Sequence, residues 1–153
     1  MSVFIFQSFA AAVAVYFFAI LLDSPKRALF HAALTGGIGW FVYLIVLEVS
    51  GKPLATLLAG ILIALLSQYF ARMLKTPTTV YFLPGFIPIV PGEAIYRAVF
   101  SFIEEDYSAA QVFLNEALLI AGTIAVAIFV VDSFFNVQNR LKFLSRRKQR
   151  KNS

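Results

Sequence analysis

The stretch from Tyr81 to Arg97 constrains this chain more than any other. It is apolar enough to lie in a membrane, yet from Pro84 to Gly92 it holds three prolines and two glycines within nine residues. Each proline removes a backbone donor and clashes with the preceding turn, so no continuous α-helix runs through it. Opened backbone at membrane depth is tolerated only where protein buries it or a wet cavity receives it. Glu93 and Arg97 follow directly, one helical turn apart. A broken apolar segment followed by charge is the local pattern of a transporter's discontinuous helix, so this segment is expected to line a transport path.

The rest of the chain points to the same solvent. Of 153 residues, 60% are hydrophobic and 14% charged, too little polar cover for a soluble surface. The absence of cysteine excludes disulfides and thiolate metal sites, and a single histidine, His31, argues against any metal centre. No cofactor is expected. The N-terminal run lacks a basic leader and is too long for a signal peptide, so it reads as a retained span.

A helical crossing takes roughly 20 apolar residues. Suitable runs lie at about 3–22, 28–47, 54–71, 79–103 and 109–135, with the broken segment fourth. The expected fold class is therefore an all-α integral membrane protein of five transmembrane segments, with a membrane domain over 1–135 and a basic tail over 136–153. Seven of the thirteen Lys and Arg residues fall between Arg140 and Lys151. A cytoplasmic tail puts Lys26, Arg27, Arg72 and Lys75 on its own side, leaving Lys52 alone among the basic loop residues opposite. The positive-inside rule then gives N-out, C-in, with the fourth segment crossing as two half-helices. The tail is expected to lie on anionic lipid; the same rule accounts for its charge without nucleic acid.

Small residues recur four apart at Ala10/Ala14, Ala33/Gly37, Ala55/Ala59 and Gly60/Ala64. Such pairs let helix backbones approach closely in lipid. Gly36, Gly37 and Gly39 form the densest patch, read as a packing motif or a contact for a partner or moving element.

Two motifs carry a family likeness. Pro25-Lys26-Arg27-Ala28-Leu29 followed by Ala33-Leu34-Thr35-Gly36-Gly37-Ile38-Gly39 resembles the first helical hairpin of the threonine/serine exporter family, in its short C-terminal-half form. Pro77, then Pro88-Ile89-Val90-Pro91-Gly92 with Tyr96 four residues on, resembles that family's P-x-x-P-G signature. The likeness runs from about Pro25 to Ile103. It implies the small subunit of a split two-component exporter in the bacterial cytoplasmic membrane, paired with a homologous membrane half that carries a cytoplasmic domain. It also implies export of threonine and serine, or of dicarboxylates such as succinate, driven by an ion gradient. Glu93 and Arg97 are not part of the signature and rest on their own chemistry.

Glu93 falls in the first turn of the second half-helix, at the positive end of its dipole, with Arg97 at the favoured i+4 position. The two form either a self-contained capping pair or a gate, in which the Arg97 fork receives a substrate carboxylate. Pro88, Pro91, Gly92 and Tyr96 complete the expected substrate path. Glu116 and Asn115 in the fifth run, and Gln68 in the third, are candidate proton or polar sites. The bland alternatives are a Glu116 reaching headgroup water and a Gln68 bonded across helices. Ser67 and Thr123 read as back-bonded to their own helices. Asp23 and Asp132 read as interfacial caps. No Ser–His–acid set falls at one depth, so an enzyme is not expected. The alternative to an exporter is a non-transporting membrane scaffold that stabilises a partner.

Overall fold

The computed structural model describes the backbone of residues 2–151 and the side chains of residues 2–135 and 137. Helix α1 spans Ser2–Leu21 and stops at Asp23, whose left-handed φ of 53° turns the chain. Helix α2 spans Lys26–Leu74, 49 residues that would reach about 70 Å if straight. It is not straight. Gly51 takes φ 79° and ψ 173°, a conformation open to glycine, and the helix folds back on itself there. The ring of His31 lies 4.9 Å from that of Phe70, and Gly39 lies against Ile63, pairs nearly symmetric about Gly51. Pro53 sits in the first turn of the second arm, where its missing N–H leaves no bond unmade. The runs expected at 28–47 and 54–71 are thus helical almost up to each other, because only Gly51 leaves helical geometry.

Close approach explains the glycine patch. A Cβ on Gly36 would stand 2.3 Å from Val15 of α1, and one on Gly37 would stand 2.8 Å from Ala12. One on Gly39 would stand 2.4 Å from Ile63 in the second arm. The first arm is therefore gripped on two sides through bare backbone.

Helix α5 spans Tyr107–Lys151 and packs on the second arm of α2. Lys52 bonds Glu116, and Gln68 bonds Asp132, each pair 64 residues apart in sequence. A constant offset means that the two helices run parallel. The second arm ends near Gln68, and α5 starts near Lys52. Residues 75–106 therefore carry the chain back along the length of the bundle.

That return is the broken segment. Helix α3, Thr79–Phe86, leads through a 3-10 turn at Ile87–Ile89 into α4, Gly92–Ile103, with a 52° bend between the halves. Helix α3 packs against α2 and α1, burying Tyr81, Pro84, Gly85 and Phe86. The Tyr81 hydroxyl shares a 2.7 Å hydrogen bond with that of Thr76. Among the described residues, helix α4 packs on α5 alone, through Ala94 and Ala98.

Ser2–Leu21, Lys26–Leu74 and Tyr107–Phe135 are each long and apolar enough to cross a membrane, and the bent pair makes a fourth candidate. Among the described residues there is no strand. The protein is an all-helical membrane protein. In the region read as a basic tail, the α5 backbone continues to Lys151; the side chains from Arg140 onward lie outside the described residues.

Candidate functional site

The bend between α3 and α4 opens a cavity of about 330 Å³. Its floor is the break itself, Pro88 to Gly92, and its walls come from three helices. Val90 is extended, with ψ 137°, and Pro91 precedes the first turn of α4 without a side-chain cap. The α4 N–H groups therefore start beside the cavity, with Glu93 in that first turn. A Cβ on Gly92 would meet nothing within 4 Å, so the glycine leaves backbone facing open space.

Four charged groups converge on this space. Arg97 Nη2 lies 2.8 Å from Glu93 Oε1, and the Arg97 guanidinium sits 5.6 Å from the Phe113 ring. Across the cavity, Lys52 Nζ donates to Glu116 Oε1 at 2.5 Å. All four side chains keep solvent access, from 30% for Glu116 to 72% for Glu93. Pairs this exposed add little to stability and exchange partners readily. Trp40 and Tyr43, stacked at 4.9 Å, line the same space from the first arm of α2. Two cations, two carboxylates and an aromatic wall suit a small polar ligand carrying charge of either sign.

Of the residues expected on the path, Pro88, Pro91, Gly92, Glu93 and Arg97 line this cavity, and so does Glu116, a candidate proton or polar site. Tyr96 does not: it is 68% exposed and stacks on Phe100 outside the lining. Asn115 is exposed beside Glu116 and is also outside it. Gly36, Gly37 and Gly39 lie away from it, at the helix contacts described above. Lys52, Trp40 and Tyr43 were not anticipated. Depth could have found Lys52, since a chain with parallel third and fifth helices brings the start of each to one level.

Gln68 belongs to a second, smaller cavity of about 170 Å³. Its Nε2 donates to Asp132 Oδ1 at 3.0 Å, and Thr78, Thr79 and Phe82 close the other side. The two polar pairs are sixteen residues apart on parallel helices, about 24 Å along the axis. Between them lies an apolar cluster of Ile63, Phe86 and Ile89, flanked by Trp40, Tyr43, Phe82 and Ile128. Trp40, Tyr43 and Ile89 also line the larger cavity, and Phe82 and Ile128 line the smaller one.

Other polar groups are occupied elsewhere. The hydroxyls of Thr35, Thr56, Ser67 and Thr123 donate to carbonyls four residues earlier in their own helices. His31, by contrast, is wedged against Phe70 with its Nδ1 buried and without a hydrogen-bond partner among the described residues.

No solved structure matches the chain. A family model described as Threonine/Serine exporter, ThrE, matches residues 7–134, which takes in the lining of both cavities. Covering most of the sequence, that match establishes that the chain belongs to the threonine/serine exporter family.

Proposed function

We propose that this protein is the small membrane subunit of a two-component secondary exporter of threonine, serine or a close amino-acid relative. It works by alternating access in a bacterial cytoplasmic membrane. Counting the folded-back α2 as two crossings and the bent pair as one gives five, and the positive-inside bias gives N-out, C-in. An odd number of crossings makes a homologous half insert upside down, which supplies the inverted repeat of such transporters. The larger cavity then faces outward and the smaller one faces the cytoplasm.

The observation that carries the reading is the charged cavity at the broken helix, paired with a second cavity behind one apolar cluster. A ligand need only loosen that cluster to pass between them. Charge balance favours an amino acid over a dicarboxylate. An amino acid can set its carboxylate on Arg97 or Lys52 and its ammonium on Glu93 or Glu116, keeping the cavity neutral. A dicarboxylate would take both cations, leave both glutamates without a counter-charge and bring the cavity to a net charge of −2. The homologous half is expected against the open side of α4, whose only neighbour is α5.

Efflux of labelled serine from cells expressing this chain with and without a candidate homologous half tests the proposal. Efflux should need both chains. Efflux that persists when this chain is deleted would reduce it to a scaffold.

A further inference from the structure

We infer that the smaller cavity is a binding station for the ammonium group of the transported molecule, with Asp132 as its anionic contact. The inference rests on the exporter reading, but the site can be tested apart from it. Its basis is the difference in charge between the two cavities. At the larger one, each carboxylate has a cation within 4.0 Å. At the smaller one, among the described residues, Asp132 is the sole charged lining residue and no cation lies within salt-bridge distance of it. Arg72, the nearest basic residue on the second arm, lies instead 4.3 Å over the Phe135 ring.

Gln68 fixes the carboxylate without neutralising it. Its amide N–H holds Oδ1, which leaves Oδ2 free to accept and turns the Gln68 carbonyl into a second acceptor nearby. The hydroxyls of Thr78 and Thr79 border the same space. Phe82, Ile128 and Val131 supply an apolar wall. A carboxylate, an amide oxygen and hydroxyls beside hydrocarbon match a primary ammonium attached to a short carbon chain, since an ammonium offers three donors and no acceptor. A free carboxylate ligand would meet Asp132 as a like charge and be turned away. Because Phe82 and Ile128 also flank the apolar cluster, that cluster is what separates an occupant here from the larger cavity. The cargo is thus first selected by its ammonium at one end, then held by both its charges at the other.

A hydrophobic carbodiimide, which modifies membrane carboxyls, tests this on the purified full chain, with labelling read by mass spectrometry as consumption of the unmodified Asp132 peptide, whether to the N-acylurea or to an amide with the added amine. Ethylammonium and L-serine should each slow labelling by about tenfold at ten times their dissociation constants. Glycerate, which carries a hydroxyl in place of the ammonium of serine, should not. Protection by sodium chloride at equal ionic strength, but not by ethylammonium, would make this an inorganic-cation site and overturn the inference. So would equal protection by glycerate. Asp132→Glu keeps the carboxylate and should keep the protection, which controls for a misfolded Asp132→Asn, whereas Gln68→Ala removes the second acceptor and should weaken it. In efflux, Asp132→Asn should raise the half-saturating internal serine concentration about tenfold, with the maximal rate retained. Protection without efflux would remove the exporter reading and leave the site standing. Efflux without protection would do the reverse.

Discussion

The two halves of the broken segment are held in opposite ways. Helix α3 is wedged into the bundle: Tyr81 is fully buried, and Gly85 would bring a Cβ within 3.2 Å of both Ile63 and Thr35. Helix α4 has one neighbour and buries only two alanines, while Ile95, Tyr96, Val99, Phe100, Phe102 and Ile103 face outward. The lesson lies in where the charges sit. Glu93 and Arg97 are on the loosely held half, and the apolar cluster is on the fixed half. The break joins an anchor to an arm, with the ligand-facing groups on the arm.

The sharpest way to break this contrast is to attack both halves and compare stability with flux. Tyr81→Ala should cost about 3 kcal/mol, because it empties a fully packed position and orphans the Thr76 hydroxyl. Denaturation in mixed micelles would measure it. On the arm, Arg97→Ala should leave the same measurement within about 0.5 kcal/mol, since an exposed i,i+4 pair adds little. Yet it should abolish serine efflux. Equal losses of stability at the two positions would erase the distinction between anchor and arm. Export unchanged in Arg97→Ala would make the Glu93–Arg97 pair a cap and nothing more.

A third substitution tests the anchor from behind. Gly39→Ala drives a methyl into Ile63, which itself belongs to the apolar cluster. Over-packing of this kind costs about 1–3 kcal/mol. Because Ile63 also touches the Gly85 position, the loss should come with slower efflux rather than altered substrate preference. Thermal unfolding and efflux with competing amino acids, measured on one preparation, would separate these effects.

How much of this was legible in the sequence depends on the range of the interaction. The break was legible because Pro88 and Pro91 act on their own backbone, whatever surrounds them; Pro84, expected to interrupt the helix as well, is carried inside α3 as the sixth residue of that helix. The Glu93–Arg97 pair was legible for the same reason, being one helical turn. Lys52 with Glu116, and Gln68 with Asp132, were not, because a parallel register of 64 residues is fixed by packing far from either pair. Glu116 and Gln68 were flagged, and Gln68 does bond across helices as expected, but Lys52 was not named as a partner and Asp132 was read as an interfacial cap, so neither pairing was found. Tyr96 shows the converse limit: a motif position gives spacing along the chain, but the side of the helix that meets the cavity depends on where α5 packs.

The smallest effect concerns the joint that carries the arm. Asp106 caps the start of α5: its carboxylate accepts from the Ala109 N–H at 3.0 Å and from the Ser108 hydroxyl at 2.9 Å. The Ala109 bond first, and the Ser108 hydroxyl second, hold this carboxyl below its ordinary range. The sign follows from that lowered value. The stabilisation is complete above the ordinary aspartate range near 3.9 and fades as pH falls through the lower folded value. Asp106→Asn keeps a capping acceptor and should remove that pH dependence with little change at neutral pH. Asp106→Ala should fray the first turn of α5 at every pH. Since α5 is the one helix packed on α4 among the described residues, fraying should appear as faster hydrogen exchange in both helices and leave α3 untouched. Faster exchange in α3 as well would mean that the two halves of the broken segment move as one body, and the contrast between them would fail.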